Sequence, residues 1–421
     1  MSFITLLLYI FCTIIRPQDW MPEFHGIRLI NYLSIATAVF LIFEKLGAKK
    51  NIFIKVPQNK LMLGFFFAIL MSHVAHFYFA GLTMAFTKFS VTLILFFLLL
   101  NGLNTEKKFK IAIWFMVGLV FILVFQGIYQ FKNGYGWAGQ SILIQGHGSI
   151  SPTIRITWIG IFNDPNDLAL MFVIASGIAL AFSFSKSNFI LRLISLTILG
   201  YLFYGIYLTN SRGGLLALMT TIFFYFVKKT KKFILGGIIG GGLAAGVFAL
   251  GPSRLGLIST QEASANTRVN LWYEGVLMFK SSPLFGVGYR MFTDQLPQTA
   301  HNSYILAAAE LGFFGLFFWM ALIYSSFKGL SIIQNHDQQL RTYAVGLQSS
   351  LVGFCTAAFF LSRTYVILPY ILFAFSGALM FVAQQKNKNL DFRFNKKDIK
   401  TTGLLSIGIL LMVYGVIKLG L

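Results

Sequence analysis

Long apolar runs recur along almost the whole chain, and that recurrence limits its possible folds more than any single motif. About thirteen runs are long enough, or nearly so, to cross about 30 Å of hydrocarbon at about 1.5 Å of rise per residue. They lie near residues 1–15, 28–46, 60–80, 83–101, 109–131, 166–185, 188–209, 213–227, 233–250, 303–327, 343–361, 365–384 and 402–420. With 57 % hydrophobic, 17 % aromatic and only 11 % charged residues, 421 residues carry too much apolar surface for a soluble globule. The expected fold class is therefore all-α: a polytopic transmembrane helical bundle of about 12–13 spans, with residues 1–421 as one integral-membrane domain. The first run starts at Met1 without a basic leader or a small-residue cleavage pattern, so it is expected to remain as a helix. Cys12 and Cys355 both sit inside apolar runs and imply neither a disulfide framework nor a thiolate metal site.

The formal net charge of +21 would point to nucleic acid in a soluble protein. Here it sets topology instead, and no nucleic-acid partner is expected. Nineteen of the 23 lysines fall in alternate connections, from Lys45 to Lys60, Lys107 to Lys110, at Lys186, Lys228 to Lys232, at Lys328, and Lys386 to Lys400. The excess of positive charge on cytoplasmic loops then puts the N-terminus in the cytoplasm and the C-terminus outside. Arginine behaves differently. Eight of the eleven, Arg16, Arg28, Arg155, Arg212, Arg254, Arg268, Arg290 and Arg363, fall on the outer side. Lysine would anchor topology equally well, whereas arginine offers a planar fork suited to phosphate or carboxylate. The outer face is thus expected to hold an anion, with phosphate the first choice.

Two outer connections are long, 132–165 and 251–302. The second carries ANTRVNLWYEGVLMF, whose residues 269–279 alternate at helical spacing and predict an amphipathic helix along the outer surface. It ends in the stretch Pro283–Gly312, PLFGVGYRMFTDQLPQTAHNSYILAAAELG, where the scarce polar residues gather. Elsewhere GGIIGGGLAAG, Gly236 to Gly246, offers small-residue patterns for close helix packing.

Each candidate residue has a chemical reading and a structural one. His301, at the start of the tenth run, could serve as a general base at the aqueous boundary or could cap a helix. Glu310 lies about 13 Å deeper on the same helix and needs a partner, an outer arginine or a histidine, whether for function or for a buried structural pair. Arg212, in TNSRGGLLA, sits in a tight turn where glycines let a ligand approach. Arg268 precedes the amphipathic helix and Arg290 follows the GVG turn; each could equally bind a headgroup. Asp164 and Asp167, with Asn163 and Asn166 around Pro165, fit a helix cap, a sugar-hydroxyl contact or a cation site. His73 and His76 share a helix face without an evident third ligand and read as interfacial. There is no phosphate-binding GxxxxGK[ST] loop, D-x-D nucleotide-sugar signature, H-E-x-x-H or G-x-S-x-G, which disfavours an ATP-driven pump and the common soluble transferases.

The run R-x-x-L-W-x-x-G-x-x-M-F-x-x-x-P-L-F-G-V-G-Y from Arg268 to Tyr289, followed by H-N-S-Y-x-x-x-x-x-E-L-G-x-x-G from His301 to Gly315, resembles the O-antigen ligase and polymerase superfamily of bacterial envelope glycan enzymes. N-D-P-N-D-L-A and S-R-G-G look like the same family, and the resemblance spans about 155–325. It implies an inverting glycosyltransferase of the bacterial inner membrane. Such an enzyme moves a glycan from undecaprenyl diphosphate to an acceptor hydroxyl at the periplasmic face, with neither metal nor cofactor. By motif, Arg212 and Arg268 would hold the diphosphate and His301 would activate the acceptor, as the catalytic set. Arg290, Glu310, Arg155, Asp164 and Asp167 would bind or orient substrate. The acceptor could be lipid A core, a second lipid-linked glycan or a protein, in a lipopolysaccharide or exopolysaccharide setting. The alternatives are a repeat-unit polymerase or a protein O-oligosaccharyltransferase of the same superfamily. A transporter of lipid-linked glycan, which should show broken helices and internal repeats, is a further alternative.

Overall fold

The computed structural model describes residues 1–145, 153–234, 237, 242 and 263–420. A helix stands at every expected apolar run except 233–250, which lies largely outside the described residues together with the glycine-rich Gly236–Gly246 stretch and Arg254. Among the described residues, eight helices are long and apolar enough to cross a membrane: this is a multi-pass helical membrane protein. The only sheet among them is a short antiparallel pair, Leu143–Gln145 with Thr153–Arg155, placing Leu143 opposite Arg155.

The chain divides into two compact units. One comprises Met1–Phe53, Leu98–Leu257 and Leu330–Ala357; the other comprises Ile54–Phe97, Ile258–Gly329 and Ala358–Leu421.

In the first unit the helix Pro165–Ser183 is central and almost wholly buried, and it packs against Phe189–Leu208, Arg212–Thr230 and Arg341–Ala357. Apolar all round, it can only be an interior helix. Small residues let the backbones meet: a Cβ on Gly177 would strike Ser350 and the Gly346 carbonyl. Ser350 Oγ instead donates to the Ile174 carbonyl at 2.6 Å, and Thr220 Oγ1 donates to Thr356 Oγ1 at 2.9 Å. By contrast Leu29–Gly47 buries only Thr37, Leu41 and Lys45 and turns most of its apolar surface outward, as a lipid-facing helix must.

The ends of these helices sort by charge. Glu44 meets Lys108 at 2.7 Å and also takes the Ser2 hydroxyl, while Lys229 donates to the Phe184 carbonyl at 3.1 Å. At the other ends, Trp158 Nε1 donates to the Ile14 carbonyl at 3.2 Å, and Ile156 N donates to the Leu208 carbonyl at 3.2 Å. Lysine-bearing connections thus share one end of the unit and arginine-bearing connections the other.

In the second unit Lys328 pairs with Asp398 at 2.7 Å and donates to the Arg393 carbonyl at 3.2 Å, which brings the connection 387–395 to Lys328. The predicted amphipathic helix is present and longer than expected, Ala263–Ser281. Leu271, Trp272, Val276 and Met278 are buried against Phe292, Ile305, Leu306, Ala309, Val413 and Ile417. Tyr273 and Leu277 face outward. Its apolar stripe is therefore closed by protein, and Gly275 permits the approach because a Cβ there would strike Ile305.

Candidate functional site

At the arginine-bearing end of the first unit, three segments are knotted by Arg155. Its Nε donates to the Thr209 carbonyl at 2.8 Å, one terminal nitrogen to Asn166 Oδ1 at 2.9 Å and the other to Gln145 Oε1 at 3.3 Å. Asn166 Oδ1 also accepts from Ser211 Oγ at 2.7 Å. Ser211 in turn caps the next helix, accepting from Gly214 N at 3.1 Å. Arg212 is the first residue of that helix and is half-buried. Asp164 accepts from both the backbone and the side-chain nitrogen of Asn166, each at 2.9 Å, and caps Pro165–Ser183 with Pro165 in the first turn. The capping reading is thus realised by Asp164, and Asp167 lies buried one residue beyond Asn166.

In the second unit the HNSY motif makes a corner. His301 has φ 49°, a left-handed backbone, and the helix begins at Ser303 rather than at the histidine. Asn302 Oδ1 accepts from Tyr304 N at 2.9 Å and from Ile305 N at 3.1 Å, so the cap is Asn302. Ser303 then ties down the chain around Arg363. Its N donates to the Ala358 carbonyl at 2.7 Å and its Oγ to the Leu361 carbonyl at 2.6 Å. The same Oγ accepts from Arg363 N at 2.8 Å, and the Ser303 carbonyl accepts from Thr364 Oγ1 at 2.8 Å. His301 itself is half-buried at this turn.

Further along, the helix Ser303–His336 is broken at Gly312, with φ 65° and ψ −167°. The PLFGVG loop fills the break. Phe313 N and Phe314 N donate to the carbonyls of Pro283 and Leu284 at 2.7 and 3.2 Å. Val287 N and Gly288 N donate to those of Ala309 and Glu310 at 2.9 and 3.0 Å. The loop is held from its other side as well: Ser72 Oγ accepts from Tyr289 N at 3.0 Å, and His76 Nε2 lies 2.7 Å from the Gly286 carbonyl. His73 lies buried beneath Gly288, where a Cβ would come within 3.1 Å of its Nδ1. His73 and His76 are thus supports of this loop, a role that nothing in their sequence spacing signals.

Glu310 is buried, and its Oε1 accepts from Phe292 N at 3.1 Å. The expected partner was a cation, and the Arg290 charge does act on the carboxylate, while the main chain of the loop that carries Arg290 folds onto it and supplies the hydrogen bond from Phe292. Arg290 is exposed, with φ 63°, and its guanidinium lies 5.6 Å from the centre of the Tyr289 ring. Burial raises the Tyr289 phenol above its ordinary range, the Arg290 guanidinium opposes that shift and Glu310 adds to it, so the three share one electrostatic neighbourhood. Arg268 is half-buried on Ala263–Ser281.

The structure therefore brings Arg155, Asp164 and Asn166 together beside Arg212 in one unit. It places Arg290 with Glu310, and His301 with Arg363, in the other. Ser303, Asn302 and Arg363 were not among the expected site residues. Only the sequence position of Arg363 on the arginine-rich side hinted at it.

Residues 170–320 match the family model for O-antigen ligases. This segment is similar to an O-antigen ligase domain. Among curated proteins none matches the chain. The ligase domain contains Arg212, Arg268, Arg290, His301 and Glu310, and stops short of Arg155, Asp164 and Asp167. A glycosyltransferase role of the O-antigen ligase and polymerase type goes with it, and with that role a lipid-linked glycan and an acceptor as substrates in general terms.

Proposed function

We propose that the protein is a metal-independent, inverting glycosyltransferase that moves a glycan from undecaprenyl diphosphate to an acceptor hydroxyl. The reaction would take place at the periplasmic face of the bacterial inner membrane. The observation that carries this reading is that the ligase domain encloses the three residues chosen for the chemistry, Arg212, Arg268 and His301. In this mechanism His301 takes the proton of the acceptor hydroxyl as its oxygen bonds to the anomeric carbon. The bond from that carbon to the phosphate oxygen breaks on the opposite face, which inverts the centre. Arg212 and Arg268 offset the charge that develops on the departing diphosphate. Arg290, Glu310, Arg155, Asp164 and Asp167 orient substrate or hold these groups in place. The periplasmic assignment rests on the lysine-rich connections facing the cytoplasm, as the positive-inside rule requires.

A transporter would share one feature, the helix broken at Gly312. In such a carrier the exposed backbone receives the cargo, whereas here four of the groups exposed by the break already bond the PLFGVG loop. That favours the enzyme. The deciding experiment is transfer by the purified, reconstituted chain from an undecaprenyl-diphosphate-linked glycan to lipid A core, a second lipid-linked glycan or a pilin-type protein, with EDTA present. We expect transfer to one acceptor, falling at least about a hundredfold in Arg212→Ala and His301→Ala, the usual scale for losing a general base or a charge-stabilising group. No transfer to any acceptor, with lipid-linked glycan crossing the bilayer instead, would replace the enzyme by the transporter.

A further inference from the structure

We propose that Lys280, Tyr414 and Lys418 bind the headgroup of an anionic phospholipid, whose acyl chain lies along the outward stripe of the last helix. Nineteen lysines fall in the lysine-rich connections, and Lys88, Lys132, Lys280 and Lys418 are the four that do not. The fold brings two of these four to one aromatic ring. Lys280, near the end of Ala263–Ser281, holds its Nζ 5.6 Å from the centre of the Tyr414 ring. Lys418, one turn beyond Tyr414 on Lys396–Gly420, holds its Nζ 5.9 Å from the same centre. Leu271, Trp272 and Val276 of the first helix are buried with Val413 and Ile417 of the second, so the ring and both cations stand on a packed base.

The donors of this group are unspent. All three side chains are exposed, and among the described residues no hydrogen bond or ion pair engages either ammonium or the Tyr414 hydroxyl. The contacts with the ring use its π-electrons and leave the N–H groups open. The carboxylates described in this unit are committed or turned elsewhere. Asp398 pairs with Lys328 at 2.7 Å, Asp391 pairs with Arg393 at 2.9 Å, and buried Glu310 accepts from Phe292 N. Glu274 opens into a groove with Ser281, Gln295 and Leu296, Asp294 is exposed on Phe292–Gln295, and neither pairs with a lysine. Two like charges at one ring repel until an anion joins them, and a phosphate offers oxygens to both ammoniums and to the phenol. Lys418 lies in the last turn of a candidate membrane span, at the depth where headgroups lie. Leu404, Ile407, Leu411, Tyr414 and Lys418 follow one another at helical spacing on one exposed stripe. Along it, a Cβ added at Gly408 or Gly415 would meet nothing within 4 Å. An apolar track below a cationic end fits a phospholipid rather than a free phosphate, and two unpaired positive charges select an anionic headgroup over a zwitterionic one.

The test places a bimane fluorophore on Leu411→Cys, where the acyl chain would lie, in the full-length chain with Cys12→Ser and Cys355→Ser, reconstituted in phosphatidylcholine nanodiscs. Doxyl-labelled phosphatidylglycerol or phosphatidylcholine is then exchanged in, and the mole fraction that half-quenches the bimane is read for each. Phosphatidylglycerol should quench at the lower mole fraction. Lys280→Gln and Lys418→Gln should each lower that preference about fivefold, the equivalent of about 1 kcal/mol per lysine at a lipid surface, and the double variant at least about tenfold. Lys388→Gln with Lys397→Gln removes the same charge from the connection beside Lys328 and should leave the preference as it was, as should Lys280→Arg with Lys418→Arg. Equal quenching by the two lipids in the parent chain, or an undiminished preference in the double glutamine variant, overturns the proposal. An equal loss in the Lys388 and Lys397 control does so too, by reducing the effect to general charge. If the double variant does not fold, the single ones carry the test. Unlabelled undecaprenyl diphosphate should leave the quenching by phosphatidylglycerol intact; relief of it would overturn the phospholipid as occupant.

Discussion

Arg155 and Arg363 look alike in sequence, since both fall in connections on the arginine-rich side, yet the fold spends them differently. Arg155 is buried and divides its donors among Thr209, Asn166 and Gln145, all within one unit. Removing it orphans the Thr209 carbonyl in a place water reaches poorly. Arg155→Ala should therefore lower stability by about 2 kcal/mol, the scale of a lost charge-assisted hydrogen bond, read as a drop in melting temperature and in folded yield. A variant that melts like wild type while losing only substrate affinity would show that Arg155 works on the ligand instead. At this scale the sequence could nominate residue types, because arginine, histidine and acid are rare in so apolar a chain. It could not say which arginine is committed to its own backbone. That depends on bonds between residues as far apart as Arg155 and Thr209, which no local pattern encodes.

At the scale of elements, the helices followed from composition, since a bilayer tolerates no backbone that fails to bond itself. The exception is instructive. Apolar periodicity runs unbroken through residues 303–327, and a single straight helix was the natural expectation. The break at Gly312 requires a backbone conformation reserved for glycine, and a Cβ there would collide with the Leu284 carbonyl. Gly312→Ala should cost about 1–3 kcal/mol and free the PLFGVG loop, which carries the chain on to Arg290. Limited proteolysis of the purified variant checks this: cleavage between residues 284 and 296 should accelerate at least about fivefold, the minimum implied by an opening of that energy. Unchanged cleavage would mean that the helix heals and the loop is held by other bonds. The glycines were legible as turn residues; their docking partner was not.

For the whole molecule, topology is the expectation that the sequence carries. In the first unit the lysine-bearing connections meet at one end and the arginine-bearing ones at the other, as alternate crossing demands. Single cysteines at exposed Lys388 and Thr293 should then react with a membrane-impermeant maleimide from opposite sides of sealed vesicles, Thr293→Cys from the periplasmic side. Labelling of both from one side would refute the alternating path and the face assigned to the chemistry.

The sequence by itself determined the class of fold and the residue types from which a site could be made. Those are consequences of solvation: apolar runs must span and few polar residues remain for other work. Its motifs also carried the ligase family, borne out by the match over 170–320. Only the tertiary structure decided which of those polar residues are fixed together. Ser303 ties His301 to Arg363, Glu310 receives the backbone N–H of Phe292, and Asn166 joins Arg155 to Ser211. Each of these is a hydrogen bond between segments distant in sequence, made because a buried polar group must find a partner wherever the folded chain supplies one.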